Sequence, residues 1–128
     1  MDLDETLIHA LSTGKTGGDV DFNLCGEKRS VNIRPFCKEF LSNMSELYNI
    51  YVFTAATLDY ATPIVNYLNK GKKTISGILH RENCLITSHG LQIKDLRVVK
   101  NKDLSQLIIV DNLVHSFGLQ LENGIPIL

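Results

Sequence analysis

The chain has no tryptophan, three cysteines, three prolines and almost no imbalance of charge. The cysteines, Cys25, Cys37 and Cys84, are odd in number and none sits in a Cys-x-x-Cys pair. That argues against a disulfide framework and a zinc ribbon, and it fits a reducing, intracellular compartment, nuclear or cytoplasmic. Thirteen basic and fourteen acidic residues leave a net charge of −1. Such a chain has no global electrostatic reason to bind nucleic acid or an anionic membrane. Its one dense basic spot, Lys70-Gly71-Lys72-Lys73, reads as a solvated loop. Long apolar runs are also missing: Leu107 to Val110 is far too short to span a bilayer, and no signal-peptide region follows Met1. There is no repeat and no low-complexity stretch. The histidines, His9, His80, His89 and His115, show no metal-ligand spacing.

What is present suits one globular domain over residues 1–128. The 44% hydrophobic and 21% charged residues can build a core without metal or disulfide staples. Asn49 to Phe53 is β-branched and aromatic and ends in Thr54. Leu107 to Val110 is wholly apolar and ends in Asp111-Asn112. Met1 to Thr6 looks like the tail of a strand entering a loop. Continuous apolar runs predict strands buried on both faces, as in a parallel sheet.

Helices are predicted between these runs. Arg34-Pro35 opens one, with Phe36, Cys37, Phe40, Leu41, Met44, Leu47 and Tyr48 as its apolar stripe. Thr57 caps a second, carrying Leu58, Ala61, Ile64, Val65 and Leu68 and bent at Pro63. A short helical turn is expected around residues 103–106. The alternation of strand and helix specifies an α/β fold: a Rossmann-like parallel sheet flanked by helices. Residues 20–33 read as a β-hairpin and residues 84–94 as a second, smaller one, both inserted into that sheet.

In open α/β sheets, ligands sit beyond the carboxyl ends of the strands. Here those ends carry Asp2 and Asp4, then Thr54, then Asp111 and Asn112. Converging carboxylates repel one another, and a hard divalent cation such as Mg²⁺ relieves that repulsion through oxygen ligands. Asp-x-Asp-x-Thr also has a mechanical reading. One carboxylate attacks phosphorus, and a second, two residues on, protonates the leaving oxygen and then activates water. Thr54 and Lys94 are the candidates to hold the remaining phosphoryl oxygens. Two other readings fail. A calcium loop needs glycine and glutamate where Leu7 and Thr13 stand. A P-loop ending in Gly14-Lys15-Thr16 needs glycine where His9 stands.

The sequence resembles the haloacid dehalogenase superfamily of aspartate-based phosphatases. Within it, the likeness is to the small phosphatases of the RNA polymerase II C-terminal domain and their Dullard-like and NLI-interacting-factor-like relatives. The residues that carry it are Asp2-Leu3-Asp4-Glu5-Thr6-Leu7-Ile8-His9, Arg34-Pro35, Glu39-Phe40-Leu41, Val52-Phe53-Thr54-Ala55-Ala56, Tyr60-Ala61 with Pro63, Arg81-Glu82, Lys94-Asp95-Leu96 and Val110-Asp111-Asn112. The resemblance implies Asp2 as the phosphorylated nucleophile and Asp4 as the general acid/base. It implies Thr54, Lys94 and Thr6 at the phosphate. It implies Mg²⁺ on Asp2, Asp4, Asn112 and Asp111, with Asp111 alternatively orienting Lys94. The hairpin at 20–33 becomes a flap, with Phe22, Leu24 and Tyr60 lining an apolar substrate pocket and Arg81 making a basic contact.

The implied substrate is a phosphoserine or phosphothreonine segment of a protein, the polymerase tail among the candidates. Rival readings are a non-catalytic binding module on the same fold, like a mitochondrial import receptor, and a small-metabolite phosphatase of the same superfamily. Relatives of this kind carry a full apolar strand before the Asp-x-Asp motif and helices after a segment like Ile125 to Leu128, so a truncated domain is also expected.

Overall fold

A computed structural model describes residues 1–128. Its centre is a parallel sheet. Strand β4 (Ile50–Phe53) pairs with β5 (Ile75–Leu79), and β8 (Ile109–Asp111) pairs with β9 (Gly124–Pro126). Residues 1–2 join the two pairs. The Met1 nitrogen donates to the Tyr51 carbonyl, the Phe53 N–H to the Met1 carbonyl and the Asp2 N–H to the Val110 carbonyl, each at 2.8 Å. The resulting spatial order is β9, β8, residues 1–2, β4, β5. Asp2 thus leaves the centre of the sheet at its carboxyl edge, between the ends of β4 and β8.

The helices follow from their apolar spacing. In α2 (Leu58–Leu68), Ala61, Ile64, Val65 and Leu68 recur at helical period and are all buried, and the helix runs through Pro63 without a break. They meet Leu3, Leu41, Val52 and Ile75, each at most 1% exposed. A side chain buried this fully contributes roughly 1.5–3 kcal/mol relative to exposure, so this cluster supplies most of the apolar stabilisation. Leu96, Ile109 and Phe117 form a second, smaller cluster under the carboxyl half of the chain.

The helix α1 (Cys37–Ser45) departs from the expected stripe. It begins after Pro35, because Phe36 takes a left-handed conformation (φ 63°) and turns the backbone first. Only Cys37 and Leu41 of the stripe are buried, and Phe36 is 81% exposed. Leu47 and Tyr48 lie beyond the end of the helix and face solvent. Thr57 stands at the start of α2 as expected, but its side chain makes no capping bond.

Both hairpins are present. Strands β2 (Val20–Leu24) and β3 (Glu27–Ile33) meet through Cys25-Gly26, both at positive φ, the conformation a two-residue hairpin turn requires. Strand β1 (Ile8–Ala10) pairs with the other edge of β3, so the flap is a three-stranded antiparallel sheet rooted in the chain that follows Asp4. The smaller hairpin joins β6 (Leu85–Ile86) to β7 (Gln92–Ile93). The expected turn near 103–106 is a 3-10 turn at Leu104–Gln106, with Asp103 accepting from the Ser105 N–H.

Three features were not anticipated. Strand β5 carries a glycine, Gly77, that weakens its apolar signal; the Tyr51 ring lies over it, where an added Cβ would come within 2.8 Å. A run of 3-10 turns at Val114–Asn123 precedes β9. The apolar runs are also not buried on both faces: Tyr51 in β4 and Ile108 just before β8 are each about half exposed. No helix is long and apolar enough to cross a membrane.

Candidate active site

Four side chains meet at the carboxyl edge of the central sheet. Asp2 leaves the middle of the sheet and is buried. Its Oδ1 accepts a hydrogen bond from Lys94 Nζ at 2.6 Å, and its Oδ2 accepts from the Thr6 hydroxyl at 2.8 Å. Lys94 Nζ also donates to Asp111 Oδ2 at 2.6 Å. The second Asp111 oxygen accepts from the Leu113 N–H at 2.8 Å. One ammonium therefore bridges the carboxylates of two different strand ends, with all three side chains nearly excluded from solvent. Charge-assisted bonds of this length are stronger than neutral ones, and in a buried setting they fix geometry.

Each partner is delivered by a recognisable element. Lys94 follows β7, and its N–H is held by the Ser116 carbonyl at 2.7 Å. The small hairpin thereby carries the lysine to the sheet edge. Behind it, Asp95 accepts from the Arg97 side chain and from Gln120 Nε2 at 2.8 Å, while Gln120 Oε1 accepts from the Leu96 N–H at 3.0 Å. The Arg97 side chain beside Asp95 holds its carboxyl far below the usual carboxylate range. Thr6 lies in a tight loop whose amides at Thr6, Leu7 and Ile8 all point to the Leu3 carbonyl.

Asp4 is half-buried, and its Oδ1 accepts from the Tyr60 hydroxyl at 2.6 Å. Burial pushes its pKa upward. The Tyr60 hydrogen bond pulls it back, and Asp2 nearby raises it further. The phenol itself is pushed far up, first by burial and then by donating to Asp4. Tyr60 therefore stays a donor throughout the working pH range. A carboxyl held above its ordinary range suits proton transfer near neutrality.

Thr54 closes the group at the end of β4. It is buried, and its Oγ1 accepts from the Ala56 N–H at 3.0 Å, which leaves the hydroxyl proton to donate elsewhere. Arg81 is tied to the same turn, its Nε donating to the Ala55 carbonyl at 2.9 Å. Phe22, on the flap strand β2, packs edge-on against Tyr60 with ring centroids 5.7 Å apart. Leu24 is half-buried at the far end of that strand, near the flap tip. Asn112 is half-buried beside Asp111 and makes no side-chain hydrogen bond.

Of the residues singled out in the sequence, the fold brings Asp2, Thr6, Lys94 and Asp111 into one bonded network. Asp4 and Tyr60 form a second pair linked to Phe22. The Tyr60–Asp4 bond was not foreseen, because nothing in sequence spacing relates residues 56 apart. Arg34, which the sequence marks as a helix start and part of the family resemblance but gives no site role, binds the loop that follows Asp4 with its side chain.

No group of three or more His, Cys, Asp or Glu side chains is arranged to hold a metal ion by itself. The chemistry of the donors nonetheless suits a hard cation. Asp2, Asp4 and Asp111 supply only oxygen, the Asn112 amide has no other partner, and Lys94 offers one positive charge against three carboxyls.

A family model described as NLI interacting factor-like phosphatase matches residues 1–128. Nuclear envelope morphology protein 1 of Schizosaccharomyces pombe is 35% identical over 133 residues, covering 99% of this chain and 28% of its own length. CTD small phosphatase-like protein 3 of Caenorhabditis elegans is 37% identical over 131 residues, covering 99% and 45%. A solved structure of the fission yeast RNA polymerase II CTD phosphatase Fcp1 bound to beryllium fluoride superposes with a TM-score of 0.81 at 24% identity, over 99% of this chain and 40% of that one. At that identity the likeness is one of fold. The chain spans between about a quarter and a half of the length of these relatives.

Proposed function

The chain belongs to the NLI interacting factor-like phosphatase family, and we propose that residues 1–128 form the catalytic domain of a protein phosphatase that hydrolyses phosphoserine or phosphothreonine through an aspartyl-phosphate. The observation that carries this reading is the placement of Asp2. It is buried at the carboxyl edge of the central sheet, with Lys94 on one oxygen and Thr6 on the other. Each carboxylate oxygen keeps a lone pair beyond these bonds, so the group is held in one orientation while remaining a nucleophile.

In the first step an Asp2 oxygen attacks phosphorus and the bond to the serine or threonine oxygen breaks. Asp4 gives its proton to that oxygen. In the second step Asp4, now ionised, takes a proton from water as the water attacks phosphorus and releases Asp2 and inorganic phosphate. Lys94 and the free Thr54 hydroxyl proton face the phosphoryl oxygens where negative charge gathers. The residues fit Mg²⁺, which Asp2, Asn112 and the Asp4 backbone carbonyl would hold, with Asp111 contributing. The bound ion would neutralise charge on the transferring phosphoryl group. The flap, through Phe22 and Leu24 with Tyr60 beneath, provides an apolar wall, and Arg81 a positive rim, for a peptide in extended form. A phosphorylated tail such as that of RNA polymerase II suits this open site, as do other intracellular phosphoproteins, and no part of the reading requires nucleic acid or membrane.

The test is hydrolysis of p-nitrophenyl phosphate with Mg²⁺ and with chelator, on the chain and on Asp2→Asn. Metal-dependent turnover that Asp2→Asn abolishes without loss of fold supports the reading. Retained turnover in Asp2→Asn overturns it.

A further inference from the structure

We infer that Arg34 is a positioning residue for the nucleophile, clamping the catalytic loop from the root of the flap; the inference rests on the phosphatase reading of Asp2. Arg34 follows the last residue of β3. Its Nε donates to the Thr6 carbonyl at 2.6 Å and its Nη2 to the Glu5 carbonyl at 3.2 Å. Nη2 also reaches the Leu128 carbonyl at 3.2 Å. Its own backbone N–H donates to the Leu7 carbonyl at 2.9 Å. Three consecutive carbonyls of the loop are thus held by one residue.

The loop needs such an anchor. Glu5 has a left-handed backbone (φ 61°) without being glycine, a conformation that costs of order 1 kcal/mol or more unless its surroundings impose it. The Glu5 side chain is exposed and bonds only His9, itself exposed, so it contributes little to that constraint. The link to the chemistry is short. Arg34 fixes the Thr6 backbone, and the Thr6 hydroxyl fixes Asp2 Oδ2 at 2.8 Å. A guanidinium forms this fork because its donors are planar and spaced; an ammonium can satisfy one carbonyl at a time. The same residue directly follows the flap strand β3, so the flap and the nucleophile loop are mechanically joined there.

The experiment uses Arg34→Lys and Arg34→Ala in the full chain. Turnover of p-nitrophenyl phosphate should fall about 100-fold in kcat, as expected for a nucleophile displaced by about 1 Å, with little change in KM. Guanidinium added below denaturing concentration should restore part of kcat in Arg34→Ala and none in Arg34→Lys. Amide hydrogen exchange is read in parallel: Thr6, Leu7 and Ile8 should lose protection while amides of β4 and β5 keep theirs. Wild-type kcat in Arg34→Lys, or uniform loss of protection across the sheet, overturns the inference. If the unsubstituted chain shows no turnover, the phosphatase reading fails. The exchange pattern then decides alone whether Arg34 clamps the loop.

Discussion

The Tyr60 hydroxyl stands 2.6 Å from Asp4 Oδ1 and, as an un-ionised phenol, donates to it. Two opposed effects therefore set the Asp4 carboxyl. Burial and the neighbouring Asp2 raise its pKa, and the phenol's hydrogen bond lowers it. Removing the hydroxyl alone, in Tyr60→Phe, should move the Asp4 pKa further up. In the proposed mechanism Asp4 is protonated when the alkoxide leaves, so the alkaline limb of kcat/KM should shift to higher pH. A phosphoserine peptide is the substrate to use, since its leaving group needs that proton. A limb that stays in place would separate Tyr60 from the acid/base step.

The same shift has a consequence for stability. A carboxyl whose folded pKa lies above its unfolded value favours the folded state at low pH. That advantage is lost as pH rises through the folded value. Asp4→Asn keeps an acceptor for Tyr60 and removes the charge. It should be more stable than the unsubstituted chain at neutral pH, with the difference shrinking as pH falls through the raised folded value toward the ordinary carboxylate value and gone below it. Thermal unfolding at a series of pH values measures this.

Lys94 is the only cation between two buried carboxylates. Removing one partner of a buried pair leaves uncompensated charge, at a cost of roughly 3–5 kcal/mol. Lys94→Ala should lose about that much in denaturant unfolding. Adding Asp111→Asn to Lys94→Ala should recover part of the loss, because one of the two uncompensated buried charges disappears. Strict additivity of the two substitutions would show that the bridge does not couple them.

The Thr54 hydroxyl oxygen accepts from Ala56 N–H, and in the proposed mechanism its proton is left for the phosphoryl group. Thr54→Val should lower kcat by about 100-fold, the scale of losing one donor aimed at developing charge. It should also destabilise the fold by about 1–3 kcal/mol through the orphaned Ala56 N–H. Thr54→Ser should restore both, which steady-state kinetics and unfolding can check together.

Phe36 is left-handed at the start of α1 and 81% exposed, so its ring adds little apolar burial while its Cβ is strained. Phe36→Gly should raise stability by about 1 kcal/mol, with relief of strain exceeding the entropic cost of glycine. A loss of stability would mean that the exposed ring packs more productively than its exposure implies.

Much of the site was legible in the sequence because its residues stand at strand ends, and strand ends can be read from where apolar runs stop. Thr54 and Asp111 each follow such a run, Asp2 is placed beside them by the Asp-x-Asp-x-Thr pattern with only Met1 before it, and the topology of a parallel sheet must bring those ends together. Both hairpins were legible from turn residues such as Cys25-Gly26. The helix stripe was partly misread: Phe36, Leu47 and Tyr48 match the helical period, but the backbone turns at Phe36 before the helix begins and ends the helix before Leu47.

The sequence by itself determined the α/β class, the carboxyl edge at which chemistry would gather and the types of group found there. Those depend on local periodicity and on the order of elements along the chain. Tertiary structure alone decided that Lys94 bridges Asp2 and Asp111, that Tyr60 holds Asp4 and that Arg34 clamps the Glu5-Thr6 backbone. These contacts join residues 17 to 92 positions apart. Hydrogen bonds of that reach follow from side-chain direction and packing in three dimensions, which no local pattern of residues encodes.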